Sequence, residues 1–245
     1  MGKDNTKWYT SWFDTKYYHI LYKDRGYEEA EEFMRNLTSF LQLKKGSSIL
    51  DLACGKGRHS IYLHQLGYDV TGVDLSQNSI QKAQKYEKET LRFKVHDMCL
   101  PLAEKFDGVF NLFTSFGYFE NEEDNLRTIK AIKEELNPNG YGVIDFMNVH
   151  LVIKNLVSQN TKTAQGIDFH LKRTFEGGYI YKEIQFSDEG EEFKFQEKVK
   201  AITLSQFETY FEKAGLKIKS LLGDYHLNEF SLETSPRLIL IFEHA

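Results

Sequence analysis

Cysteine is nearly absent. Cys54 and Cys99 are the only two in 245 residues, and their placement suits neither a disulfide framework nor a zinc site. No apolar run approaches the ~18 residues that span a bilayer. The first residues, MGKDNTKWYT, hold no apolar signal core. No stretch is strongly basic. With a formal net charge of −5 and a pI of about 5.9, nucleic acid is not favoured as a partner, nor is a membrane. These absences leave a reducing, cytoplasmic setting as the expectation.

What is present is apolar and aromatic. Hydrophobic residues make up 41%, enough for a real core, and 245 residues allow one α/β domain with insertions. Nineteen Phe and 14 Tyr suit either an aromatic core or a deep pocket lined by rings.

The most informative stretch runs from Ser48 to Ser76, SILDLACGKGRHSIYLHQLGYDVTGVDLS. A short apolar run, Ile49 to Leu52, meets a glycine turn, Ala53-Cys54-Gly55-Lys56-Gly57. His59 to Leu66 has helical spacing and is closed by Gly67. A second apolar run ends in Asp74. This order predicts strand, glycine turn, helix and strand: the first half of a nucleotide-binding α/β sheet. Gly55 and Gly57 let the backbone turn sharply and approach a ligand. The helix behind them points free N–H groups at it. Asp74 stands 17 residues after Gly57, where a carboxylate can accept from both hydroxyls of a ribose. A dehydrogenase fingerprint wants a third glycine where Ser60 stands. Asp51, before the turn, would repel a phosphate. A cofactor with an amino group and a sulfonium suits this loop better than one with a pyrophosphate.

Asp51-Leu52-Ala53-Cys54-Gly55-Lys56-Gly57 with Val73-Asp74-Leu75-Ser76 resembles the first two motifs of class I S-adenosylmethionine (SAM) dependent methyltransferases. The resemblance spans most of residues 17–243 and is strongest from Ser48 to Gly140. It implies SAM as cofactor and S-adenosylhomocysteine as product. It also assigns cofactor contacts to Asp51, Ala53, Cys54, Gly55, Gly57, Arg58, Asp74 and Leu75. In the same pattern Asp97 meets the adenine amino group and Met98 offers a backbone N–H to the ring, and Asn111 and Leu112 belong to the cofactor set. Such enzymes often begin with an aromatic helix, whose equivalents here are Tyr17, Tyr22 and Arg25, approaching the methionine end.

Around that stretch the chain reads as follows. Residues 8–26, with Trp8, Tyr9, Trp12, Phe13, Tyr17, Tyr18 and Tyr22, suit a helix packed on the core or a lid over the ligands. Tyr18 and Tyr22 share a helical face. Tyr27 to Leu43 has helical periodicity. Gln77 to Glu87 is a helix with Ser76 as N-cap. Leu91 to Val95 is the third strand and Asp107 to Phe113 the fourth. Glu122 to Leu136 is a helix broken by Asn137-Pro138-Asn139-Gly140. Tyr141 to Phe146 is the fifth strand. Ile167 to Thr174, Tyr179 to Phe186 and Phe193 to Ile202 then alternate in part and predict a three-stranded antiparallel meander. Thr203 to Ala214 is a helix capped by Thr203 or Ser205, with Gly215 after it. Leu216 to Leu222 and Arg237 to Phe242 complete the sheet as an antiparallel pair.

The expected fold is therefore α/β: a Rossmann-like, seven-stranded, mostly parallel sheet with an antiparallel last strand, a β insertion and an N-terminal aromatic helical lid. The expected division is 1–45 lid and helix, 46–160 SAM-binding core, 161–202 insertion over the active site, and 203–245 completion of the sheet. A homodimer through the insertion is an additional expectation.

After the fourth strand comes Thr114-Ser115-Phe116-Gly117-Tyr118-Phe119. Enzymes that methylate nucleobase amines carry Asn/Asp-Pro-Pro-Tyr/Phe here, and Asn111-Leu112-Phe113-Thr114 lacks the prolines. The layout is similar to small-molecule N-methyltransferases, including those acting on nucleotide-linked amino sugars. The implied reaction is in-line displacement, with an acceptor amine attacking the sulfonium methyl. Tyr118 is the expected catalytic residue, as a positioning group; His19 and His150 are the other candidates for a base. Phe116, Tyr118, Asn148, Arg173 and Tyr225 are expected to bind substrate, and Arg237 either joins them or forms a salt bridge. Cys54 and Cys99 read as structural. An RNA- or protein-directed methyltransferase and a non-catalytic SAM-binding module are the competing readings. No metal is expected.

Overall fold

The computed structural model describes residues 12–23, 27–119 and 121–245; Trp8, Tyr9 and Arg25 lie outside them. The chain enters through α1 (Lys16–Leu21) and α2 (Tyr27–Phe40). Alternating elements follow: β1 (Ser48–Leu52), α3 (Arg58–Gln65), β2 (Asp69–Asp74), α4 (Gln77–Ala83), β3 (Leu91–Val95), β4 (Phe106–Asn111), α5 (Glu122–Glu135) and β5 (Leu136–Met147). After the short α6 (Val149–Lys154) come β6 (Gln159–Ala164), β7 (Ile167–Glu176), β8 (Tyr179–Asp188) and β9 (Glu191–Lys200). The chain closes with α7 (Leu204–Ala214), β10 (Leu216–Leu222) and β11 (Arg237–His244).

Seven strands form one sheet in the order β10-β11-β5-β4-β1-β2-β3. β1 pairs in parallel with β2 and β4; β11 runs antiparallel between β5 and β10. Both faces are covered, so successive side chains are buried on opposite sides. Leu238, Leu240 and Phe242 enter one core cluster and Ile239 and Ile241 the other, none more than 2% exposed. That is why β11 is a continuous apolar run. Burying each such side chain contributes roughly 1.5–3 kcal/mol. Leu50, Ile144, Phe207 and Phe211 fill the first face; Ile49, Val70, Phe93 and the α2 residues Phe33 and Leu37 fill the second.

The other four strands form a separate antiparallel sheet, β6-β7-β8-β9. The sequence predicted three of them. β6, Gln-Asn-Thr-Lys-Thr-Ala, has no apolar alternation because it is a largely exposed edge strand, held to β7 by backbone pairing. The Asn137-Gly140 break is also different from the expectation. It is an irregularity within β5, which pairs with β4 at Phe106↔Leu136 and again from Gly108↔Tyr141. Of the two candidate caps of α7, Thr203 forms the capping box with Gln206, and Gly215 closes the helix at φ 71°.

The small sheet buries one face against the N-terminal segment. Trp12, Tyr17 and Leu21 pack with Ile167, Phe169, Leu171, Ile184 and Phe186 as a third apolar cluster. Polar clamps hold it. Trp12 Nε1 donates to Glu197 Oε1 at 2.8 Å, the Tyr22 hydroxyl to the same oxygen at 2.6 Å, and the Tyr17 hydroxyl to Asp188 Oδ2 at 2.9 Å. The lid and the insertion are thus one packed unit. It joins the main sheet where Lys200 N donates to Gly117 O and where Glu122 meets both Tyr210 and Lys200. Among the described residues no helix is long and apolar enough to cross a membrane, and no cluster of His, Cys, Asp and Glu could hold a metal ion.

Candidate active site

A cleft of about 220 Å³ opens at the carboxyl ends of the parallel strands, where open α/β sheets bind ligands. Its floor is the turn after β1. Ala53, Gly55 and Gly57 all have positive φ, at 60°, 56° and 78°. At Gly57 a side chain is excluded twice over: the backbone is left-handed, and a Cβ would stand 2.5 Å from the Phe93 ring. At Gly55 the space a Cβ would take is open, so a ligand can lie against the backbone. Gly57 caps α3 without a side-chain bond, leaving the first-turn N–H groups for a ligand.

Asp74 ends β2 and lines the cleft. Its Oδ2 accepts from Gly55 N at 2.9 Å and its Oδ1 from Ser76 N at 2.8 Å, which fixes the carboxylate against the loop. Burial raises its pKa. Asp51 is buried beneath the loop, where Ser60 Oγ donates to it at 2.6 Å, and burial pushes its pKa up to about 7. The hydroxyl of Ser60, where a dehydrogenase would carry glycine, is therefore the partner of that carboxyl. Leu75, Asp97 and Met98 line a further wall, and Asn111 reaches Leu52 O at 3.2 Å with its amide beside Met98.

The opposite wall is the loop after β4. Phe113 and Thr114 are consecutive non-glycine residues with φ 58° and 59°, a strained arrangement that persists only when the surroundings over-determine it. Asp145 supplies that constraint from β5. Its Oδ2 accepts from Phe113 N at 2.8 Å, and its backbone oxygen from Thr114 N at 3.0 Å. Arg237 of β11 completes the frame, donating from Nε to Asp145 Oδ1 at 2.7 Å and from Nη2 to Thr114 Oγ1 at 2.8 Å. Asp145 is fully buried. Tyr225 donates to its Oδ2 at 3.2 Å and lies near the Phe113 ring, which stacks on His59 at 4.4 Å. Arg237 thus forms the salt-bridge alternative of the two read for it, and Tyr225 belongs to the same frame.

The remaining expected residues are scattered. Tyr118 lines the cleft, its ring 5.6 Å from that of Phe13. Tyr17 and Tyr22 turn to the insertion, so Phe13, Tyr18 and His19 face the cleft in their stead. Phe116 and Leu112 are in the core, and Cys54 and Cys99 are buried, with burial pushing the Cys99 thiol up to about 11. Asn148 caps α6 and donates to Leu232 O and Ser235 O, each at 2.8 Å. Arg173 is engaged with Val157 O and Asn160 Oδ1 and does not line the cleft, and His150 pairs with Glu233 on the surface. Arg58 donates to His59 Nε2 and borders a neighbouring groove.

Sequence reasoning missed Asp14, Lys56 and His96, which also line the cleft. Asp14 accepts from Ser76 Oγ at 2.6 Å. His19 is the other notable group. Burial, reinforced by Lys56 and Lys82, lowers its pKa to about 4, and among the described residues its buried Nε2 has no hydrogen-bond partner. Asn111 Oδ1 is also buried without one. A floor open to a ligand, a fixed carboxylate at the second strand tip and polar atoms without partners fit a bound SAM.

Comparison with known proteins agrees with this arrangement. A family profile described as a methyltransferase domain matches residues 25–221. The chain is 26% identical to a dTDP-3-amino-3,4,6-trideoxy-alpha-D-glucopyranose N,N-dimethyltransferase of Streptomyces venezuelae, over 84% of this chain and 91% of the relative. Its fold is similar to that of a SAM-dependent methyltransferase from Clostridium acetobutylicum, with TM-score 0.79, 20% identity and coverage of 94% and 96% of the two chains. It is also similar to a SAM-bound amino pentose methyltransferase from Micromonospora echinaspora, with TM-score 0.70, 17% identity and coverage of 94% and 98%. A glycine-turn floor, a carboxylate at the tip of β2 and a profile spanning most of the chain converge: the chain belongs to the methyltransferase-domain family and is a class I, SAM-dependent methyltransferase.

Proposed function

We propose that this enzyme methylates a nitrogen of a small-molecule acceptor, with amino sugars as the favoured class. The observation that carries the reading is the aromatic enclosure of the cleft. Phe13 and Tyr18 of the lid meet Phe113, Tyr118 and Phe119 of the loop after β4 around a volume of about 220 Å³. An opening of that kind suits a small acceptor better than a folded RNA or protein. The Streptomyces venezuelae relative, named for an amino-sugar acceptor, supports the same class.

Bound SAM supplies an electrophilic methyl group on a sulfonium. The chain's residues then have three tasks. Asp74 and the Gly55 backbone orient the cofactor's ribose, and Asp97 and Met98 its base. The rings exclude water and hold the acceptor nitrogen in line. An amine must be neutral to react, and His19, uncharged above about pH 5, adds no positive charge to the wall it lines. Tyr118 positions the acceptor from the facing wall.

The test is transfer of radiolabelled methyl from SAM into a cell extract, separated by size. Label in the small-molecule fraction is the expected result. Label in RNA or protein would overturn the acceptor class and leave the cofactor assignment standing.

A further inference from the structure

A second concavity, of about 540 Å³, lies beside the cleft on the helical face of the sheet. α2, α3 and the end of α4 with the turn after it form its walls. Four cations line it: Lys56 from the glycine turn, Arg58 at the start of α3, and Lys82 and Lys85 one turn apart after β2. Among the described lining residues Glu31 is the one carboxylate. Lys56, Lys82 and Lys85 have no ion pair or hydrogen bond among the described residues, whereas Arg58 is engaged with His59. Asp14, which faces Lys56, is already taken by the Ser76 hydroxyl.

Such a grouping is unusual in a chain of net charge −5. Lys82 stands close enough to act on Lys56, whose pKa is lowered first by burial and next by Lys82. Clustered like charge is unfavourable until an anion shares it. The groove also holds two phenol rings, Tyr62 and Tyr86. Tyr86 is 55% exposed, so its face is open to a planar group. Ammonium groups and an open aromatic face in one concavity match a ligand with phosphates at one end and a base at the other.

We propose that this groove is a second binding site, separate from the cofactor cleft, that takes a phosphorylated small molecule of the nucleotide class. The phosphates sit among Lys56, Lys82 and Lys85, and the base lies on Tyr86. Lys56 borders both the groove and the cleft, which couples occupancy of one to the other.

The test uses uridine diphosphate and inorganic pyrophosphate as probes, titrated by calorimetry into enzyme saturated with S-adenosylhomocysteine, so that the cofactor cleft is closed to them. Uridine diphosphate is expected to saturate in the micromolar range, more tightly than pyrophosphate, and to weaken as salt is raised. The double charge reversal Lys82→Glu/Lys85→Glu, at two exposed positions, is expected to weaken both probes at least tenfold and leave S-adenosylhomocysteine affinity within twofold. Tyr86→Ala is expected to weaken uridine diphosphate and leave pyrophosphate unchanged. No saturation by either probe at millimolar concentration would overturn the proposal, as would equal binding by the double variant. Displacement of uridine diphosphate by a short single-stranded RNA at lower concentration would show a nucleic-acid track instead and overturn the small-molecule assignment.

Discussion

The floor of the cleft and its roof are made of different materials. From Ala53 to Gly57 the floor is backbone, with three positive φ values and a carboxylate, Asp74, tied to it by two N–H groups. All its bonds join residues within about one β-α-β unit. The roof, Trp12 to Tyr22, is side chains, and Trp12, Tyr17 and Tyr22 reach Glu197 and Asp188, 171 to 185 positions away. Between them stands the loop of Phe113 and Thr114, held by a buried ion pair from two further strands. The floor has little room to vary without losing its turn. The roof can exchange one ring for another while its apolar cluster persists. A fixed floor beneath an adaptable cover is one way a single fold can serve different ligands.

Arg237→Met attacks the middle element and carries the largest expected effect. It leaves Asp145 buried and unpaired, and should cost about 3–5 kcal/mol in urea unfolding. Adding Asp145→Asn should recover part of that loss. A single variant of unchanged stability would mean that the pair does not brace the loop. Next is Asp74→Ala in the floor, expected to weaken S-adenosylhomocysteine binding about 100-fold, or ~2.7 kcal/mol, with a smaller change in unfolding. Affinity retained in calorimetry would remove Asp74 from the cofactor seat. In the acceptor wall, Tyr118→Phe should lower kcat about tenfold, ~1.4 kcal/mol, and leave S-adenosylhomocysteine affinity within twofold. If both stay as in the wild type, the acceptor binds elsewhere.

The smallest effect lies outside the comparison and serves as its control. Glu135 ends α5; its Oε1 accepts from Leu102 N at 2.9 Å, its Oε2 has no partner, and burial pushes its pKa up to about 7 from a usual 4.5. The folded state therefore holds a proton that the unfolded chain releases between those values. Stability from this group is present at low pH and is lost as pH rises through about 7. Glu135→Gln keeps the acceptor and removes the charge. It should stabilise the protein by on the order of 1 kcal/mol at pH 8 and not at pH 4, with cofactor affinity unchanged throughout. A gain of equal size at both pH values would assign it to packing.

The floor was legible in the sequence because its information is local. Glycines at 55 and 57 and an acid at 74 each answer a backbone requirement set by neighbours in the same unit. The short apolar run Ile49 to Leu52 likewise marked the first strand. Edge strand β6 was not legible, because an exposed strand paired by its backbone has no apolar alternation to show. The frame of Asp145, Arg237 and Thr114 was not legible either, since Arg237 and Thr114 are 123 positions apart and their meeting depends on β11 lying beside β5.

The lid shows the same division at single-residue scale. Seven aromatic residues between positions 8 and 22 determined that this segment would seek an apolar partner. They did not determine which ring faces which side. Tyr17 and Tyr22 turn to the insertion and Phe13, Tyr18 and His19 to the cleft because Asp188 and Glu197 stand on one side of α1. Sequence set the fold, the glycine turn with its carboxylate and the cover's aromatic character, all of which follow from periodicity and backbone geometry over short spans. Tertiary structure decided the orientation of the cover, the bracing of the loop after β4 and the gathering of four cations beside the glycine turn. Each of these is a contact between elements that only the folded sheet brings together.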